Sequence, residues 1–241
     1  MSKMKHGWIL RLVAVLVLAG LLGAKSALAD PAAVSSLAQG DDFLVSRATS
    51  LRSMAAIAYN DDLDEYLIVW SDARSSFLYS DIYGQIVSSA GVPRGDNFVI
   101  RDEASNYLAF PDVAYDTNNQ RYLVVWEDSA EDDIEGQLLD QDGSPFGSAF
   151  NVMDGTSGDP CATPAVAFHP PTGMYFVVYR RGVAGDYNIQ GKRVSADGTV
   201  AAADYNISVA AGDQTDPDVS VNPASGGDFL VVWEDGRTAV D

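Results

Sequence analysis

The sequence predicts an all-β protein, a β-propeller built from four-stranded antiparallel blades, and three observations carry that expectation. One apolar, β-prone run occurs four times: Glu65 to Asp72 (EYLIVWSD), Arg121 to Asp128 (RYLVVWED), Met174 to Arg181 (MYFVVYRR) and Asp228 to Asp235 (DFLVVWED). Its aromatic recurs at Trp70, Trp126, Tyr179 and Trp233, in steps of 56, 53 and 54 residues. Turn residues separate the apolar runs, and no segment after residue 29 shows a convincing helical period. Self-similarity at a period of about 53 residues marks a repeat architecture. A sheet of four short strands cannot shelter both of its faces alone, and stacking each sheet on the next shelters them. Separate β-sandwiches need about 100 residues each, which a unit of about half that length does not supply.

The chain opens with an address. Lys3, Lys5 and Arg11 lie in or beside a basic leader, Leu12 to Leu22 is an apolar core, and Ala27-Leu28-Ala29 precedes Asp30. That three-part pattern predicts a secretory signal peptide over residues 1–29, cleaved after Ala29, and a secreted, cell-surface or periplasmic product. The competing reading is a membrane anchor, for which the apolar run is short. No second run is long enough to span, so no membrane insertion is expected after cleavage. Residues 30–39 then form a short linker.

Each repeat reads as four strands. The first is Ala55 to Tyr59, Pro111 to Tyr115, Pro164 to Phe168 or Pro217 to Val221, with the flanking Pro suited to a strand start. The second is the repeated run itself, whose continuous apolar character suits a strand covered on both faces. The third carries Ile82-x-Gly84, Ile134-x-Gly136 or Ile189-x-Gly191, and the fourth is Phe98 to Ile100, Phe150 to Val152 or Tyr205 to Ile207. A glycine follows the isoleucine by nine residues in three repeats (Gly91, Gly143, Gly198), and an aromatic follows that glycine by seven. Asp142-Gly143 and Asp197-Gly198 mark tight turns in which Gly supplies positive φ. The repeated Gly84, Gly136 and Gly191 read as positions where a backbone or ring approaches closely.

The units run 54–110, 111–163 and 164–216, followed by a partial unit, 217–241. Gly40 to Val45 matches the fourth-strand segment Gly95 to Ile100, so 40–46 reads as a lone strand that closes the last blade. The final unit stops after its second strand, which makes the ring incomplete. The expectation is a truncated copy of a longer protein; the alternatives are a four-bladed ring one strand short, or one completed by a second chain.

The pattern VAY, turn, YLVVWxD, DIxGQ, Gly, Phe over residues 40–241 resembles uncharacterised repeats of large secreted bacterial proteins. That resemblance implies propeller-like domains, often beside adhesion or sorting modules. The third unit departs from it, with Tyr179 for Trp, Arg180-Arg181 for Glu-Asp and Lys192 for Gln.

Charge narrows the function. Residues 1–29 hold four of the 15 Lys+Arg and none of the 34 Asp+Glu, leaving 11 basic against 34 acidic residues in the remainder. Such a surface repels nucleic acid. Cys161 is alone, which excludes an intrachain disulfide and a cysteine-based zinc site. His169 is the one histidine after the leader and sits in a turn, which argues against a serine triad. No phosphate loop, metalloprotease helix or dinucleotide fingerprint is present.

The candidate metal residues are Asp72, Asp128, Asp132, Asp133 and Asp235, where the second strand turns into the third. Ca²⁺ takes six to eight oxygens, which such rim loops can supply; the plainer reading of these carboxylates is turn capping and solvation. Glycoside hydrolysis needs one raised and one ordinary carboxyl, and among 34 acids no pair stands out. Trp70, Trp126, Tyr179 and Trp233 read as packing between blades rather than as platforms for sugars. The functional expectation is a non-catalytic binding or interaction module for a glycan or protein ligand. The alternatives are an extracellular polysaccharide-active enzyme, glycoside hydrolase-like, and a structural spacer of a larger surface protein.

Overall fold

The computed structural model describes residues 44–46, 52–76, 78–103, 105–222 and 228–237. The expected signal peptide, the linker and the start of the lone strand lie outside the described residues. Fourteen strands are formed among the described residues. The first blade is β1 (Arg52–Asn60), β2 (Glu65–Asp72), β3 (Asp81–Ser88) and β4 (Pro93–Arg101). The second is β5 (Leu108–Asp116), β6 (Arg121–Asp128), β7 (Asp133–Asp140) and β8 (Pro145–Met153). The third is β9 (Cys161–His169), β10 (Met174–Arg181), β11 (Asn188–Ser195) and β12 (Tyr205–Ser208), and a pair, β13 (Gln214–Val221) and β14 (Phe229–Asp235), follows. Each blade is an antiparallel meander in chain order. Among the described residues no helix is long and apolar enough to cross a membrane.

The apolar cores lie between consecutive sheets. Leu67, Val69, Ile82 and Ile86 of the first blade pack against Val113, Tyr115, Val124 and Trp126 of the second. Leu123, Val125, Ile134 and Leu138 of the second pack against Val166, Phe168, Val177 and Tyr179 of the third. Alternate residues of one strand therefore serve opposite interfaces, which is why the Leu-Val-Val-Trp run is apolar throughout. Trp70 is nearly fully buried, and Trp126 and Tyr179 are fully so. This is the propeller arrangement the repeat predicts.

Local chemistry holds the meander in register. Asn60 Oδ1 accepts the Asp62 and Leu63 N–H groups, and Asp116 Oδ1 accepts those of Asn118 and Asn119, capping the first turn in two blades. A Cβ on Gly84 would stand 2.8 Å from the Phe98 ring, and one on Gly136 3.3 Å from Phe150, so these glycines admit the fourth-strand aromatic. The glutamine of the DIxGQ motif has a purpose that sequence reading missed. Gln85 Nε2 donates to the Ile86 and Arg94 carbonyls, and Gln137 Nε2 to those of Leu138 and Phe146, tying the third strand to the fourth.

Two groups of strands are longer than their sequence pattern. The outer strands β4 and β8 begin at Pro93 and Pro145, upstream of the apolar triplets, because Gly95 and Gly147 (φ +69° and +72°) carry the chain through irregular pairing. The first strands β1 and β5 likewise begin upstream, at Arg52 and Leu108, so Pro111 lies inside its strand rather than at its start. The reason is a repeated β-bulge.

Candidate functional site

The first strands β1, β5, β9 and β13 are successive neighbours and form the inner lining of the propeller. Each is bulged near its start. The register shifts lie between Ser53 and Ala56, Ala109 and Asp112, and Thr215 and Asp218, and β9 shifts against β10 at the equivalent place. A non-glycine residue sits at positive φ in every bulge: Met54 (57°), Phe110 (48°), Thr163 (48°) and Asp216 (49°). Three of the four precede a proline, which has no N–H to lose from the ladder. Backbone strain of this kind costs of order 1–3 kcal/mol per residue and concentrates at functional sites.

The four bulges line one open cavity of about 270 Å³. Met54 and Ala55 line it from the first blade, Phe110, Pro111 and Asp112 from the second, Thr163, Pro164 and Ala165 from the third, and Asp216, Pro217 and Asp218 from the last pair. Its polar wall is acidic and asymmetric, since Asp112 and Asp218 stand where the other two strands carry Ala56 and Ala165. The Val166 N–H donates to Asp112 Oδ2 at 2.7 Å, so this carboxylate bridges the second and third blades. Burial pushes the Asp112 carboxyl up to about 6, and the nearby Asp218 adds to the rise, while the N–H groups of Val166 and Val113 oppose it. Asp218 Oδ1 accepts the Val219 N–H at 2.8 Å. A larger groove of about 480 Å³ lies between Leu44–Ser46 and the first blade, but no acidic residue lines it.

The rim carboxylates of the sequence reading are engaged in turns. Asp72 Oδ1 accepts the Arg74 N–H at 2.9 Å, Asp128 Oδ1 the Ala130 N–H at 3.0 Å, and Asp235 Oδ1 the Arg237 N–H at 3.0 Å. The buried Asp72 also accepts the Trp70 Nε1–H at 2.9 Å. Hydrogen bonds from Arg237 hold Asp235 down at about 2. Asp133 Oδ1 accepts the Gly155 N–H at 2.6 Å; burial nonetheless raises its carboxyl. Asp132 acts through its backbone, its carbonyl accepting the Cys161 N–H at 2.9 Å. Among the described residues no group of three or more His, Cys, Asp or Glu side chains is arranged to hold a metal ion. In the third blade Arg181 takes the aspartate's place and pairs with Asp159 at 2.7 Å. His169 is fully buried against Phe229, and burial pushes the Cys161 thiol up to about 12, which leaves it a poor nucleophile.

No protein-family model matches the chain, and no curated protein does. Solved structures do match. The chain is similar to the Hadza microbial sialidase Hz136, at 10% identity and TM-score 0.58, over 77% of this chain and 42% of that one. It is similar to an N-acetylgalactosamine deacetylase from F. plautii in complex with blood group B trisaccharide, at 11% identity and TM-score 0.55, over 76% and 62%. It is also similar to an endo-arabinase from Bacteroides thetaiotaomicron, at 11% identity and TM-score 0.51, over 80% and 78%. The fold is a β-propeller. Identities this low carry the fold alone. The chain spans 36% of the length of the exo-β-1,3-galactanase structures it also matches.

The axial carboxylates are the site residues that sequence reading missed. The signal was present in the Pro-Asp pairs at 111–112 and 217–218, which break an otherwise regular repeat. Rim acids recur at the end of the second strand in three of the four repeats, whereas the axial acids Asp112 and Asp218 occur in two.

Proposed function

We propose that the chain is an extracellular, glycan-directed β-propeller of the glycoside hydrolase-like kind, taking a sugar at the axial cavity. The observation that carries this reading is Asp112, a carboxyl held near 6 at a cavity ringed by four bulged strands. A glycosidase places a protonated carboxyl on one side of the scissile bond and a second carboxyl on the other. Asp112 suits the first role, and Asp218, on a strand two blades away, suits the second. The structural neighbours support the choice of ligand, since they include a sialidase, an endo-arabinase and a deacetylase in complex with a trisaccharide. Export through residues 1–29 and kinship with secreted bacterial repeat proteins belong to the same reading; mass spectrometry of the secreted product should find Asp30 at its N-terminus.

A second reading, binding without turnover, is favoured by the hydrogen bond that occupies Asp112 Oδ2. Reducing-end release from arabinan, galactan and sialylated oligosaccharides separates the two. Hydrolysis that is lost in Asp112→Asn supports the enzyme. Glycan binding by calorimetry with no product, equal in wild type and Asp112→Asn, supports the binder.

A further inference from the structure

Among the described residues that line the axial cavity, Phe110 is the single aromatic. It is 37% exposed, although β5 lies between β1 and β9 and so has an inner strand on each side. Its ring belongs to none of the three apolar cores. Its backbone sits at φ 48°, a region that a bulky residue rarely adopts. Its N–H donates to Met54 Sδ at 3.3 Å, so the first blade holds this bulge from the side. The equivalent positions carry Met54, Thr163 and Asp216, so the cavity has a ring on one wall alone. The fold keeps this large apolar group at the axis instead of in a core.

The charge of the wall is of one sign. Asp112, Asp216 and Asp218 line the cavity, and among the described residues no Lys, Arg or His does. Asp218 already acts on Asp112 as a like charge. A sugar bearing a carboxylate adds to that repulsion, and the guanidinium fork that recognises a carboxylate is missing from the lining residues. An uncharged sugar meets neither obstacle. Its hydroxyls donate to carboxylate oxygens, which accept. The C–H face of its ring, slightly positive, suits the negative face of an aromatic ring. Thr163 lines the same wall at 9% exposure, and its Oγ1 has no hydrogen-bond partner, so the wall also holds an unmet polar group.

We propose that Phe110 is the stacking platform of the axial site, and that the site takes an uncharged sugar unit and rejects sialic and uronic acids. This rests on the reading of the cavity as a glycan site, and narrows it. Of the sugars named above, arabinan and galactan fit the lining and sialylated oligosaccharides do not. Asp216 and Asp218 set the charge preference, and Phe110 orients the sugar ring beside Asp112.

The test uses the full chain at pH 7, with arabinotriose and galactotriose as neutral probes and disialic acid and trigalacturonate as anionic ones. Calorimetry should find a neutral probe bound, with saturation-transfer NMR signal on its C–H face, and both anionic probes at least about tenfold weaker. Phe110→Ala should weaken neutral binding about tenfold with the melting temperature held, whereas Phe110→Trp, which keeps a ring, should retain it. Asp216→Asn, which keeps a residue suited to positive φ, should narrow the gap between neutral and anionic probes. Neutral binding that survives Phe110→Ala, or anionic probes bound as tightly as neutral ones, overturns this inference and leaves the glycan reading standing. No binding or hydrolysis of any probe overturns both.

Discussion

Two nearly identical strands meet different fates in this molecule. β6 reads RYLVVWED and β14 reads FLVVWED, yet Leu123 and Val125 are 0% exposed while Leu230 and Val232 are 68% and 53% exposed. Both strands form and both pair with a preceding first strand through a bulge. The local run therefore determines extended structure and hairpin pairing. Burial is supplied by the next sheet, whose residues lie about one repeat further along the chain. β6 has that sheet in β9 and β10, while among the described residues β14 has none.

The widest gap between the two strands should appear on truncation. Leu123→Ala removes a fully buried side chain and should cost about 2–5 kcal/mol in urea unfolding. Leu230→Ala should stay within about 0.5 kcal/mol, as exposed substitutions do. Equal losses would mean that β14 is covered in solution, and would break the comparison.

A smaller effect sharpens the role of the third strand. Gly84→Val places a side chain 2.8 Å or less from the Phe98 ring, and should cost about 1–3 kcal/mol through overpacking. Gly158→Ala, with nothing within 4 Å of its built Cβ, should leave the midpoint unchanged. A silent Gly84 variant would show that the ring yields, and that the repeated glycine is not needed for packing.

The smallest effect concerns the axis, where the blades meet instead of stacking. The folded-state value of Asp112, about 6, lies above its unfolded value near 4, so the fold binds this proton more tightly than the unfolded chain does. The associated stability is complete below pH 4 and is lost as pH rises through 6. Asp112→Asn keeps an acceptor for the Val166 N–H and removes the titration. Relative to wild type, the variant should gain of order 1–2 kcal/mol between pH 4 and 7, read as the difference between melting curves. A difference that does not vary with pH would mean that solvent reaches the carboxyl.

Much of the fold was legible because it depends on short-range chemistry. The Leu-Val-Val-Trp run, the Asp-Gly turns and the fixed spacing from Ile82 to Gly91 and from Ile134 to Gly143 mark strands and hairpins within a dozen residues of each other. The bulges were less legible. Phe110 carries no sequence mark of the positive φ (48°) that it adopts in its bulge. The site was the least legible part. Asp128, Asp133 and Asp235 attract attention in sequence as clustered acids, yet hydrogen bonds with nearby turn groups engage them.

The sequence by itself determined that this chain makes antiparallel meanders, the order of their strands, and which side chains alternate between the two faces. These follow from φ preferences, turn residues and a period of two along each strand. Tertiary structure alone decided which copies of the run are buried and that burial raises the Asp112 carboxyl to about 6. Desolvation and charge repulsion act through space. Asp112 feels Val166 and Asp218, 54 and 106 residues away along the chain, because the blades bring their inner strands around one cavity.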